Sequence, residues 1–370
     1  MSLRRKALMS FFTLSGLAFI PYQSRAADIG TVTAGGYTFT NFDGPGIGNT
    51  AGTGTNMNGI ANNGATVGFG ISNAGAFTNF VRNPNGTFTT LNINGSTSAM
   101  ALGINRAGDV VGTDGNGNAF SLPQGGTPKT FIPQGGTAAT AFGISDQGNI
   151  VGQYTVDGLM PGFYATNGTS AAFVRIDAPS GPDIVNAQGV NNHAASVGFY
   201  IGTDGQDHGF MANLSNAKSG QLTGTAVADP SIPIVGGEPG ATFVFSQILG
   251  INDKGIAVGY YGDSTTSQHG FFYNLTTGAY TFLDDPSESF NNGVEVTQIT
   301  GINNLNEITG FYSDANGVFH GFVACPAGTS CSASTVTPEP GSLLLIGLGF
   351  SALGFGYFRR GRKIKASALT

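Results

Sequence analysis

Only four histidines occur in this 370-residue chain, and three share one local context: His208-Gly209-Phe210, His269-Gly270-Phe271 and His320-Gly321-Phe322. Imidazoles gathered at one point would make a metal site, but side chains at equivalent places in successive repeats lie one unit apart and do not converge by default. They read instead as packing or hydrogen-bonding groups beside the glycine and phenylalanine that follow. His193 falls in the turn after Gly189-Val190 and reads as solvated. Among the acids, Asp146, Asp253, Asp263 and Asp314 also fall in turns. Glycoside hydrolysis needs two carboxylates roughly 5 to 9.5 Å apart, one kept protonated, and no local spacing singles out such a pair. No Gly-x-Ser-x-Gly elbow presents a nucleophilic serine. The loop Asp314-Ala315-Asn316-Gly317 offers oxygens to calcium, without the spacing or closing glutamate of a helix-loop-helix site. Asn85, Asn167 and Asn274 lie in Asn-x-Ser/Thr triplets and read as turns. No catalytic, cofactor-binding or metal-ligating residue is assigned.

The elements that position these residues repeat six times. A Gly-Ile or Gly-Val pair ends one apolar run at Gly59, Gly103, Gly143, Gly189, Gly250 and Gly301. A polar turn and a Val/Ile-Gly strand follow. The unit's aromatic core residue comes next, at Phe80, Phe120, Phe163, Phe210, Phe271 and Phe322. From pair to aromatic the distance is 21, 17, 20, 21, 21 and 21 residues, whereas successive pairs are 44, 40, 46, 61 and 51 apart. The near-constant half is the core of the unit and the variable half holds loops, so units stack to bury their apolar faces. In the third, Thr137 to Ile144, Asn149 to Tyr154, Met160 to Ala165 and Ala171 to Ile176 read as four antiparallel strands, with Asn167-Gly168 as a hairpin turn.

The sixth unit has three strands and no fourth, while Tyr37 to Asp43 is a last strand with no unit before it. Pairing the two would remove both exposed edges. The expected fold is therefore all-β, a six-bladed β-propeller of four-stranded blades over residues 36–325, with residues 36–46 supplying the last strand of the sixth blade. An open stack of β units is the alternative. The long fourth spacing places an insertion around Ala217 to Gly240, most simply a loop.

Composition agrees with a β protein: 60 glycines, 28 phenylalanines and 10% charged residues are unfavourable for helices. Between residues 27 and 340 there are 21 acidic and six basic side chains, a balance of −15, so nucleic acid is excluded as a partner for want of a basic stripe. The strand aromatics read as contacts between blades; a carbohydrate-stacking platform needs several exposed together.

Residues 1–26 read as a signal peptide: Arg4, Arg5 and Lys6, an apolar stretch from Leu8 to Ile20, and Ser24-Arg25-Ala26 for signal peptidase. Cys325, at the end of the sixth unit, and Cys331 stand six residues apart in an exported chain and are expected to pair, tying that unit to a linker that runs over residues 326–337. Then come Pro338-Glu339-Pro340, an uncharged run from Leu343 to Phe358, and Arg359, Arg360, Arg362 and Lys363. Sixteen helical residues span about 24 Å against a hydrocarbon core of about 30 Å, so snorkelling basic side chains would be needed to hold this C-terminal apolar helix in the inner membrane.

This tripartite end, residues 338–363, resembles the PEP-CTERM sorting signal of exported bacterial proteins. The resemblance implies recognition and removal by an exosortase-like membrane enzyme, with a permanent single-pass anchor as the alternative. The His-Gly-Phe triplets resemble the His-Ala-Phe core of HAF extracellular repeats over roughly residues 54 to 325. Asn118-Ala119-Phe120, Met160-Pro161-Gly162-Phe163 and Thr78-Asn79-Phe80 depart from it. The function expected is that of an exported, noncatalytic envelope or extracellular protein that binds or organises polysaccharide. The alternatives are a polysaccharide hydrolase or lyase using carboxylates from several blades, and a protein-binding scaffold.

Overall fold

The computed structural model describes residues 24–25, 27–166, 173–216, 220–230 and 241–331. Nearly all of the expected signal peptide, the Asn167-Gly168 turn and the sorting segment 338–363 lie outside these residues, as does the second half of the linker. The described chain is all-β, with a short 3-10 turn at Leu214–Asn216.

Each repeat is an antiparallel sheet. The first unit runs Gly54–Ile60, Thr66–Ile71, Phe77–Arg82 and Thr87–Thr90, paired in that order. The fifth runs Phe243–Ile251, Ile256–Asp263, Gln268–Asn274 and Ala279–Phe282. In the sixth, Thr297–Ile302, Ile308–Ser313 and Phe319–Pro326 are followed at the edge by Tyr37–Asp43, Phe322 lying opposite Asn41. Ala27–Ala34 then pairs with Tyr37–Asp43 as a further strand. The insertion is more than a loop: Gln221–Thr223 adds to the third unit in parallel with Phe173–Asp177, and Thr225–Ala226 gives the fourth unit its outer strand. Its backbone thus covers two edges that would otherwise stay unpaired.

The repeat residues explain one another sterically. The six phenylalanines are all 0% exposed. Each lies opposite a glycine of the second strand, from Gly68 opposite Phe80 to Gly310 opposite Phe322. A Cβ at Gly259 would strike both the Gln247 carbonyl oxygen and the Phe271 ring. Just beyond that carbonyl, all six first strands carry the same bulge, with the register stepping between Met57/Gly59, Ala101/Gly103, Ala141/Gly143, Ala187/Gly189, Ile248/Gly250 and Ile299/Gly301. The pair glycines then form a row in which a Cβ on one would stand a few tenths of an ångström inside van der Waals contact with the next unit: 3.0 Å from Gly189 to the Gly250 Cα, 3.1 Å from Gly250 to the Gly301 Cα, and 3.3 Å from Gly301 to the Gly59 Cα. Cys325 and Cys331 are disulfide-bonded.

Candidate functional site

A bulge re-aims the side chain it sets out of register. Here the six stepped-over residues are Asn58, Leu102, Phe142, Gln188, Leu249 and Thr300, and all six line one open cavity of about 250 Å³. The Gly-Ile pairs form its floor, because Ile60, Ile104, Ile144, Val190, Ile251 and Ile302 line both this cavity and a smaller one, about 50 Å³, on the far side. Gln247, Gln298 and Tyr260 complete the lining, which holds no aspartate, glutamate, histidine, lysine or arginine. Gln247 is held from two sides: its Nε2 donates to Asp207 Oδ2 at 2.6 Å, and Tyr260 Oη donates to its Oε1 at 2.7 Å. Gln298 Nε2 donates to Gln268 Oε1 at 2.6 Å. Burial raises the Tyr260 pKa further above its ordinary range, with the Asp207 charge adding to it, so the group stays a neutral hydroxyl.

Beyond the floor the turns are laced to one another. Asn62 Nδ2 donates to Asp146 Oδ2, the Asp146 N–H to Asn192 Oδ1, the Asn192 N–H to Asp253 Oδ1, the Asp253 N–H to Asn304 Oδ1, and the Asn304 N–H to Asn62 Oδ1, over 2.7–3.0 Å. The second unit joins through the Arg106 N–H, which also donates to Asp146. The turn acids Asp146 and Asp253 thus have their oxygens occupied by amides. His193 belongs to the same lacing, its Nδ1 lying 3.1 Å from the Asp253 carbonyl oxygen.

At the opposite end the three equivalent histidines are each gripped between aspartates. Nδ1 of His208, His269 and His320 meets Asp229, Asp284 and Asp43 at 2.8, 2.9 and 2.8 Å; the other nitrogen faces Asp204, Asp263 and Asp314 at 3.0, 3.7 and 3.7 Å. The third unit, with Pro161 in the histidine's place, uses Arg175 to bind Asp177 and Asp183. Around His269 lie further acids: Asp285 is 0% and Glu295 8% exposed, and Glu288 accepts from Thr297 Oγ1 at 2.6 Å. Burial, then the Asp284 charge, pushes the Glu288 carboxyl well above the carboxylate range, and burial also raises Asp285. One raised acid beside other carboxylates is what hydrolysis requires. None of these acids, however, lines either of these two cavities.

Burial opposes charge on the three histidines, but the aspartate hydrogen bonds and charges outweigh it and raise their pKa values. A raised folded-state pKa stabilises fully below the unfolded value of about 6.5, and the gain is lost as pH rises through the folded value. Glu288 and Asp285, which also hold protons more tightly when folded, act in the same direction. The melting temperature is therefore expected to fall by a few degrees from pH 6 to pH 8.5 at constant ionic strength, with a flatter profile in His269→Gln. A melting temperature that rises over this interval would contradict the linkage.

The histidine partners were hidden from sequence because Asp229 and Asp284 lie just past outer strands and Asp43 ends one, 21, 15 and 277 residues away. The cavity-lining side chains had a signal: each immediately precedes a pair glycine and varies in chemistry within an otherwise constant frame.

Residues 336–363 match the PEP-CTERM protein-sorting motif. The chain is thus an exported protein with a C-terminal sorting signal, and the motif implies exosortase processing. No curated protein matches the sequence. Among solved structures, TolB from Acinetobacter baumannii is similar at 14% identity and a TM-score of 0.44 over 76% of this chain; the match spans 65% of TolB, just under two thirds. The β-propeller domain of the Trilobed protease from Pyrococcus furiosus is similar at 8% identity, 86% and 100% coverage and TM-score 0.40. Aleuria aurantia lectin, in complex with Fucalpha1-6GlcNAc, gives 12%, 74% and 97%, and 0.39.

Proposed function

We propose that this is an exported, noncatalytic protein of the cell envelope or extracellular matrix that binds or organises polysaccharide. Its body, residues 36–325, is a closed six-bladed propeller with HAF-like repeats, in which Tyr37–Asp43 completes the sixth blade. Strand pairing to Phe319–Pro326, the approach of Gly301 to Gly59 and the Asn304–Asn62 hydrogen bond support closure. Signal peptidase removes residues 1–26, the linker 326–337 carries the disulfide, and residues 338–363 hold the protein transiently in the inner membrane until an exosortase-like enzyme acts on Pro338-Glu339-Pro340 and the basic cluster.

The observation that carries the functional reading is the cavity lining. Amides, hydroxyls and apolar surface suit hydroxyl-bearing ligands, and no carboxylate or imidazole stands there to move a proton. The buried acids, the one arrangement favouring a hydrolase or lyase, serve as structural partners of His269 and Thr297. The test is incubation of the protein with extracellular polysaccharides, scoring retention and polymer chain length. Saturable retention of polymer of unchanged length is expected; shortened products would establish the enzyme, and absence of retention would move the function to a protein scaffold.

A further inference from the structure

We infer that the cavity takes the uncharged terminal sugar of a glycan, end-on; this rests on the polysaccharide-binding reading. Three observations converge on it. The first is that the cavity has a floor. Six Ile and Val side chains separate it from the smaller cavity beyond, so a ligand entering from the open end stops there, and a polymer cannot thread through. At about 250 Å³ it is also smaller than the roughly 300–1,000 Å³ of drug-sized ligand pockets, which suits one ring and not a length of chain.

The second observation is the mixed chemistry of the wall. Gln188 from the fourth unit and Asn58 from the first bring amides to it, beside the oriented Gln247 and Gln298, whereas the Thr300 hydroxyl donates to the Met57 carbonyl oxygen. Leu102, Phe142 and Leu249, from the second, third and fifth units, bring apolar surface between these amides. A pyranose has the same mixture, hydroxyls at its edge and C–H groups on its faces. Because every one of the six stepped-over side chains occupies the same bulge, the backbone stays constant while chemistry varies around the ring, which is how a repeat builds an asymmetric site.

The third is charge. No cation lines the cavity, while the aspartates that grip the histidines lie at the end where the first strands begin, the end that carries Gln247 and Gln298. Their field repels an anionic polymer approaching that mouth, so the ligand is neutral, and uronate- or sulfate-bearing chains are disfavoured.

The test is calorimetric titration of the full chain, in a micelle without sugar head groups, with neutral manno-, gluco- and galacto-oligosaccharides of two to eight units and with oligogalacturonate. The expected result is binding of a neutral series with an affinity per molecule independent of length, at least tenfold weaker in Gln188→Leu and in Asn58→Ala, and at least tenfold weaker for oligogalacturonate. Affinity that climbs with length and ignores both substitutions, or a preference for oligogalacturonate, would overturn the end-on neutral site while leaving glycan binding intact. Loss of binding to every oligosaccharide and to every intact polysaccharide would overturn both.

Discussion

Replacing Phe39 and Phe42 together with alanine is expected to abolish cooperative unfolding at the parent melting temperature and to drive aggregation. Both rings are fully buried, and they face different units. Phe39 meets Phe322 of the sixth unit edge-on at 5.2 Å, whereas Phe42 lies 5.9 Å from Phe88 of the first, with the Arg82 guanidinium 4.5 Å from its ring centre. One strand therefore packs against both the first unit and the sixth. Removing a buried phenylalanine typically costs about 3–5 kcal/mol, so the pair would consume most of a net stability of about 5–15 kcal/mol. Circular dichroism melts with light scattering would record the loss, and each single variant should fall between parent and double mutant. Parent-like melting of the double variant would mean that this strand does not join the ends.

The second large effect is expected from Gly259→Val. The added side chain has nowhere to go, since its first carbon already meets the Gln247 carbonyl oxygen and the Phe271 ring. Relief requires the first and second strands to separate, which breaks the pairing of Ile248 with Gly259. Overpacking of a core usually costs about 1–3 kcal/mol, and a clash with backbone leaves less room to relax than one with a flexible side chain. A loss of at least about 3 kcal/mol by denaturant titration is expected, with Gly259→Ala intermediate. Because Gln247 belongs to the cavity wall, the alanine variant should also weaken glycan binding if it folds. A neutral effect of valine on stability would show that the glycine is not a spacing residue.

The repeat was legible because its two signals, the glycine before an Ile or Val and the phenylalanine about 20 residues later, are both demanded by sterics in every unit. Tyr37 to Asp43 reads in the sequence as an outer strand lacking its unit, and in the structure it pairs with Phe319–Pro326. The bulges were not, since a step in register follows from how a second-strand glycine admits a first-strand carbonyl, and periodicity does not encode that. The His–Asp pairs were hidden because each Nδ1 partner sits at or just past the end of an outer strand, 15 to 277 residues away. The acids between Asp284 and Glu295 carry no local signal of burial, yet Asp285 is wholly buried, accepting from Asn41 at 3.2 Å and from the Ser287 N–H at 2.8 Å. Asn41 is contributed by the far end of the chain, so no local reading would have placed that carboxylate inside.

The most direct measurement is hydrogen–deuterium exchange of the full chain with and without a bound neutral oligosaccharide, with the sugar recovered and weighed by mass spectrometry. The account predicts added protection in the first strands that carry Gln188, Leu249 and Thr300, and a sugar of unchanged mass. Protection confined to the outer strands, or a shortened sugar, would contradict it.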